Sequence, residues 1–239
     1  MHKILILIIL MASLSFAAWT ISIYEVQFTT LPGSDGTYPS RYVGKSLSLE
    51  GIVTATNYRG GGYFISEPLN GPWRGILILD RDSRVNTGDK VLVSGTISET
   101  FGMTCLQDIS QTKVTDTNVF LPQPIILTTG QLSRADEAEA YEGVYARLLN
   151  ATAASSKSLK GKLTVTDGSG TCSVLNGCFG ERNLSKSASG SAQYSSITGI
   201  VLFGYSEFTL SPISAVDIVV HQPTFIQNRS WGKIKSIYK

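Results

Sequence analysis

Leu47-Ser48-Leu49-Glu50-Gly51-Ile52-Val53-Thr54-Ala55 is the stretch that decides the fold. Strand-forming residues run on both sides of a central glycine, and a glycine within a strand marks a bulge or a sharp bend. A long strand bent in this way can take part in two sheets at once. Four more strand-like runs follow. They are Tyr63-Phe64-Ile65-Ser66 after a Gly60-Gly61-Gly62 turn, Gly75-Ile76-Leu77-Ile78-Leu79 after Gly71-Pro72-Trp73, residues 91–97 after Asn86-Thr87-Gly88-Asp89, and residues 103–109. Five short strands, the first one curved, suit a closed five-stranded Greek-key barrel, because closure removes exposed sheet edges. A β-sandwich would want about seven strands in the same space.

The chain then repeats itself. Tyr42-Val43-Gly44 ahead of the first strand has a counterpart in Tyr141-Glu142-Gly143, and Ser94-Gly95-Thr96-Ile97 has one in Thr198-Gly199-Ile200-Val201. A solenoid repeats every 20–50 residues or so, whereas this spacing is that of a whole small domain. Strand-like runs at 144–153, 162–166, 171–175, 195–203 and 208–213 supply five strands for the second copy, with residues 182–192 as a polar loop between its third and fourth. The expected fold is therefore all-β, with two tandem five-stranded Greek-key barrels of the OB type joined by a short Pro-containing connector. The boundaries read 18–110 for the first barrel with a leading strand at 20–28, 111–135 for the connector, 136–220 for the second, divergent barrel, and 221–239 for a basic tail. Leu121-Pro122-Gln123-Pro124 makes the connector stiff. Residues 132–140 are expected to form a short helical turn.

Residues 1–17 read as a secretory signal: a positive start at His2 and Lys3, an apolar run, and small residues at Ser15-Phe16-Ala17. The run is short of the ~20 residues a membrane span needs. The expected location is secreted or periplasmic, with no integral membrane segment after cleavage. The three cysteines, Cys105, Cys172 and Cys178, all lie beyond this signal, and an odd number cannot all pair internally. Cys172 and Cys178 are near enough in sequence to bridge, yet the Asn176-Gly177 hairpin signal sets Leu175, not Cys172, opposite Cys178. Cys105, within a strand, reads as a small buried hydrophobe. The tail, with Trp231, Ile234 and Ile237 or Tyr238 on one helical face and lysines opposite, fits either a basic amphipathic docking turn or a solvated terminus.

Enzyme chemistry does not assemble. His221 is the only histidine after the signal, which leaves histidine triads and general bases unsupported. Asp80 and Asp82 start like a calcium loop, but Arg84 takes the next ligand position and no glutamate closes it. Gly60-Gly61-Gly62 lacks the lysine of a phosphate-binding loop, and the cysteines lack the partners a zinc site requires. Neither a cofactor nor a metal is expected. Charge is balanced, with seven basic and seven acidic residues over 39–110, so neither core carries a broad electrostatic footprint for nucleic acid.

Binding is better supported. OB barrels take oligonucleotides or oligosaccharides on the face of their second and third strands and on the flanking loops. Tyr58, Arg59, Tyr63, Trp73 and Arg74 fall in those segments and are the candidate ligand-binding residues, aromatics for stacking and arginines for phosphate. Phe64, next to Tyr63, must face the opposite side of its strand and reads as core. Trp73 suits the core or the ligand face equally. The corresponding part of the second barrel, residues 157–175, has no aromatic residue, so the first barrel is expected to dominate binding. The succession Ile23-Tyr24-Glu25-Val26-Gln27, Tyr42-Val43-Gly44, Gly62-Tyr63-Phe64-Ile65, Trp73-Arg74-Gly75-Ile76 and Gly88-Asp89-Lys90-Val91-Leu92-Val93-Ser94-Gly95 resembles the OB-fold domains of secreted bacterial endonucleases. The resemblance is good over 20–110 and weaker over 125–220. It implies a tandem pair of these units without the catalytic domain, and DNA or RNA as the partner. An oligosaccharide, or another envelope protein docked by barrels that act as spacers, is the alternative.

Overall fold

The computed structural model describes residues 20–33, 37–82, 84–154, 161–180 and 192–221. The expected signal, the tail beyond His221 and nearly all of the loop expected at 182–192 lie outside these residues.

The first barrel is built from β2 (Ser46–Tyr58), β3 (Gly62–Ser66), β4 (Gly75–Leu79), β5 (Lys90–Thr100) and β6 (Met103–Asp116), preceded by β1 (Thr20–Ile21) and α1 (Ile23–Gln27). Around the barrel the order is β2-β3-β4-β6-β5 and back to β2, with β4 and β6 parallel and the other neighbours antiparallel. Closure depends on the bend anticipated at Gly51. The strand pairs with β5 from Ser46 to Ile52 and with β3 from Ile52 to Tyr58, so Ile52 is shared between the two sheets.

The second barrel repeats this plan. β7 (Ile125–Leu127), α2 (Thr129–Ser133), α3 (Ala135–Ala138) and a 3₁₀ turn at Glu139–Tyr141 lead into β8 (Tyr145–Ala153), β9 (Lys162–Thr166), β10 (Thr171–Leu175), β11 (Gln193–Gly204) and β12 (Glu207–Ser211), with β13 (Ile218–Val220) at the edge. The closed order is β8-β9-β10-β12-β11 and back to β8. The repeated glycines of the sequence serve one purpose in both copies. A side chain at Gly95 would strike the Gln107 carbonyl at 2.6 Å, and one at Gly199 the Ser211 carbonyl at 2.2 Å, each where the fourth strand presses on the fifth.

The leading strand expected over 20–28 is corrected. Only Thr20–Ile21 is extended, lying parallel to β2, and the chain then turns into α1. The Ser22 hydroxyl accepts from the Glu25 amide and caps the helix, while Ile23 and Val26, three apart, enter the core. The second copy has the same device, a short strand parallel to β8 followed by α2 with Thr128 as its cap. The repeat therefore includes the approach to each barrel as well as the barrel itself.

Each barrel has its own apolar interior. Leu49, Val53, Ile65, Ile76, Val93 and Leu106 fill the first, and Leu148, Leu163, Val174, Tyr194, Ile197 and Leu210 the second. A third cluster joins the two. Ala55, Phe64, Leu77, Met103 and Cys105 on the outside of the first barrel pack against Cys178, Phe179, Ile200 and Leu202 of the second. Amide protons donate across the junction, Arg59 to the Cys178 carbonyl and Trp73 to the Ala140 carbonyl. Gly75 and Gly143 bring backbone directly against backbone. The barrels are docked through a shared core. All three cysteines are free and buried. Cys172 belongs to the second barrel's interior and Cys178 to the junction, and the potential bridge between them is not formed. Burial pushes the Cys105 thiol up to about 11 and that of Cys172 to about 12.

Candidate functional site

The face on which an OB barrel ordinarily receives a ligand is occupied here by the second barrel. Along β3 the side chains alternate as expected. Tyr63 and Ile65 point into the first barrel, and Phe64 points out of it. Phe64 is nonetheless fully buried, because Phe179 of the second barrel lies across it with ring centroids 6.0 Å apart. The free surface is displaced to the margin of the junction, where loops from both barrels converge on a cleft of about 780 Å³.

Three turns form its walls. The β2–β3 turn contributes Tyr58, Arg59 and Gly61, the β5–β6 hairpin Phe101 and Gly102, and the β11–β12 hairpin Tyr205 and Ser206. Leu77, Leu79, Met103 and Phe203 line the cleft between them, with Asp80 and Arg81 at one side. The two hairpins meet closely. A side chain at Gly102 would fall 2.6 Å from the Phe203 ring, and the residue's φ of +81° suits glycine in any case.

The hairpin tips are unusual. Each is a two-residue loop in which both residues have positive φ: Phe101 at 55° with Gly102, and Tyr205 at 53° with Ser206 at 62°. Such turns ordinarily take Asn-Gly, because asparagine and glycine adopt this geometry at little cost. An aromatic residue there is strained, and its ring finds no compensating burial: Phe101 is 81% exposed and Tyr205 96%. The two occupy equivalent hairpins, each between the fourth and fifth strands of its barrel. Tyr205 follows Phe101 by the same 104 residues that separate Gly199 from Gly95.

Of the five candidates read from the sequence, the structure brings two to this cleft. Arg59 is exposed with φ of 48°, and its guanidinium lies 5.4 Å from the Tyr58 ring centre. Tyr58 is 93% covered, and burial raises its phenol above the usual range, so the ring is a neutral wall. Tyr63 lies in the first barrel's interior. Trp73 and Arg74 lie elsewhere, beside α1. The Trp73 ring meets Phe28 edge-on, and Arg74 pairs with Glu67 while covering the Tyr24 ring at 5.3 Å. Phe101, Tyr205 and Arg81 were not singled out from the sequence. The available signal was an aromatic residue at the same turn of both repeats.

The arginines differ in availability. Arg74 is ion-paired, whereas Arg59 and Arg81 make no salt bridge among the described residues. The cleft thus offers two exposed rings from different barrels, an apolar floor and two guanidinium groups without a salt bridge among the described residues. The described residues hold no group of three or more acidic, histidine or cysteine side chains suited to a metal ion.

No family model and no curated protein matches the chain. Three solved structures are similar to it. One, described as the "Ifi202 HINa domain in complex with 20bp dsDNA", is 13% identical with a TM-score of 0.36, over 75% of this chain and 96% of that one. A second, described as "Molecular basis for abrogation of activation of pro-inflammatory cytokines", is 12% identical with a TM-score of 0.35, over 75% and 94%. A third, described as "Structural mimicry for functional antagonism", is 12% identical with a TM-score of 0.32, over 74% and 96%. A likeness this distant carries no argument about a ligand.

Proposed function

We propose that this chain is an exported, non-catalytic protein that binds single-stranded nucleic acid in the cleft between its barrels. The observation that carries the reading is the strained display of Phe101 and Tyr205 at equivalent hairpin tips. Strain at an exposed position persists where it serves a use, and rings held out into a cleft are stacking platforms for unpaired bases. The flanking loops of an OB barrel are its usual oligonucleotide contacts, and here the β2–β3 turn and both fourth-to-fifth-strand hairpins share one cleft. Arg59 and Arg81 line the same cleft and supply positive charge for phosphates. The resemblance to OB domains of secreted endonucleases, and the signal-like residues 1–17, support the same reading and the export it includes.

Fluorescence anisotropy of a labelled oligonucleotide over a salt series tests it, with Phe101→Asn and Tyr205→Asn as the variants. Asparagine keeps the positive φ and removes the ring. Each variant should weaken binding by about 1–3 kcal/mol, the loss of one stacked base. Each should also leave the fold unharmed or up to about 1 kcal/mol more stable, since the strained residue is gone. Binding that is unaffected in the double variant would sink the proposal. Displacement of the probe by an uncharged hexasaccharide, with no dependence on salt, would reassign the cleft to sugars.

A further inference from the structure

A second feature of the junction has no part in the cleft. Glu139 opens the 3₁₀ turn that enters the second barrel, and Glu142 caps its end, its amide donating to the Glu139 carbonyl. Both are buried against the first barrel, Glu139 at 7% exposure and Glu142 at 3%. Glu142 Oε1 accepts the Thr104 amide of β6 at 2.8 Å, across the junction, and its Oε2 has no hydrogen-bond partner among the described residues. Glu99 of β5 reaches the same threonine from the other side, accepting its hydroxyl at 2.7 Å and the Ser40 amide at 3.0 Å. Carboxyl groups of both barrels therefore meet at Thr104, and Glu139 is close enough to act on both of them electrostatically.

Among the described residues no cation pairs with Glu139 or Glu142. The charged or titratable groups that act on the pair are Glu99 of β5, Tyr58 of β2 and Cys105 of β6, together with each other. Two buried carboxylates without a cation cannot both ionise cheaply, and the lone Oε2 suits a carboxylic acid better than an anion.

We propose that Glu139 and Glu142 form a proton-held latch across the barrel junction, closed at acidic and neutral pH and loosened as the pH rises toward 9, whatever the cleft binds. The direction follows from the environment. Burial, then the charge of Glu99, raises Glu139 to about 8. Burial and the charge of Glu139 raise Glu142 well above its usual range, although the Thr104 amide opposes them. An unfolded glutamate titrates near 4.3, so the docked state holds protons that a solvated turn would release. Its stabilisation is complete below that pH and is lost as pH climbs through about 8. Thr104 also belongs to the β5–β6 hairpin, so loosening the latch loosens the cleft wall that carries Phe101.

Amide hydrogen exchange of the full chain, expressed as protection factors between pH 6 and 9, tests the latch. The cross-junction amides of Arg59, Trp73 and Thr104 report its opening, and Val93 and Ile197 report the barrel interiors. The junction amides should lose protection by a factor between about ten and a thousand, the range allowed by a displacement of up to about three pH units. The interior amides should change by less than threefold or so. Glu139→Gln and Glu142→Gln, which keep an acceptor oxygen, should each reduce the loss at the junction. Equal losses at junction and interior, or a wild-type profile in both variants, would overturn the latch. Should either variant fail to fold, the contrast between junction and interior in the unaltered chain still decides.

Discussion

Gly75→Ala is the sharpest test of the docked arrangement. A Cβ at this position would lie 2.2 Å from the Gly143 carbonyl oxygen, 2.5 Å from its carbon and 2.8 Å from Val144 Cα. Packed heavy atoms stay about 3.5–4.0 Å apart, so the barrels would have to separate by more than ~1 Å. Neither side can yield by turning a side chain, since every atom concerned is backbone. Gly75 is further pinned because its carbonyl accepts the Gln27 side-chain amide at 2.7 Å. Overpacking costs about 1–3 kcal/mol and more where nothing can move, which places this variant at about 3 kcal/mol or above. Restriction of the unfolded chain by alanine offsets only about 0.4–1 kcal/mol. The net loss of at least ~2 kcal/mol corresponds to a fall of roughly 4–8 °C in Tm for a chain of this size. Gly204→Ala is the control, because nothing lies within 4 Å of its added Cβ and it should be neutral or slightly stabilising. Both variants go through urea and thermal unfolding. If Gly75→Ala proves as stable as Gly204→Ala, the two barrels do not meet at this glycine pair and the shared core is wrong.

Further outcomes follow from other parts of the structure. Arg59→Gln and Arg81→Gln should each lower the slope of log K against log salt for single-stranded DNA by roughly 0.7, the contribution of one phosphate; an unchanged slope removes that arginine from the contact. The native protein should resist a thiol reagent at pH 7 and react at all three cysteines in urea, since all three are buried and burial raises the Cys105 and Cys172 thiols to about 11 and 12; rapid native labelling at that pH would mean the junction opens far more readily than its packing implies. Asp167 accepts from the amides and hydroxyls of Thr129 and Ser169, bonds that outweigh the cost of its partial burial and hold its carboxyl below the usual range. That stability is present above the unfolded value near 3.9 and lost as pH falls through the lower folded one, so Asp167→Asn should flatten the acid limb of a urea-midpoint profile.

The strands were legible in the sequence because each barrel strand is short and bounded by turn residues, and because the glycines at 95 and 199 mark the same close approach twice. The leading helix α1 was not. Ile21 and Ile23 satisfy an alternating pattern, Ile23 and Val26 a helical one, and over so few residues the two periods coincide. The Ser22 cap, with Glu25 three residues on, was the tie-breaker. The docking of one barrel on the other left a trace in Gly75-Ile76-Leu77-Ile78-Leu79. A strand apolar on both faces must be covered on both, and a barrel interior covers only one. Leu77 is the residue left over, and the second barrel covers it.

The site was harder to read because the sequence argument placed it on the face a solitary OB barrel would use. Tyr63, Trp73 and Arg74 sit in the right segments for that face, but docking alters their surroundings. Phe179 covers the outward side of β3, and the Trp73 amide donates to Ala140 of the second barrel. The same docking brings the two hairpin tips to the wall of one cleft. What marks them is a local choice made against local preference. Asn-Gly would close either turn at lower cost, yet Phe101 and Tyr205 stand there with positive φ and almost no burial. Neither ring holds the fold together, and that is the observation on which the proposed stacking of unpaired bases rests.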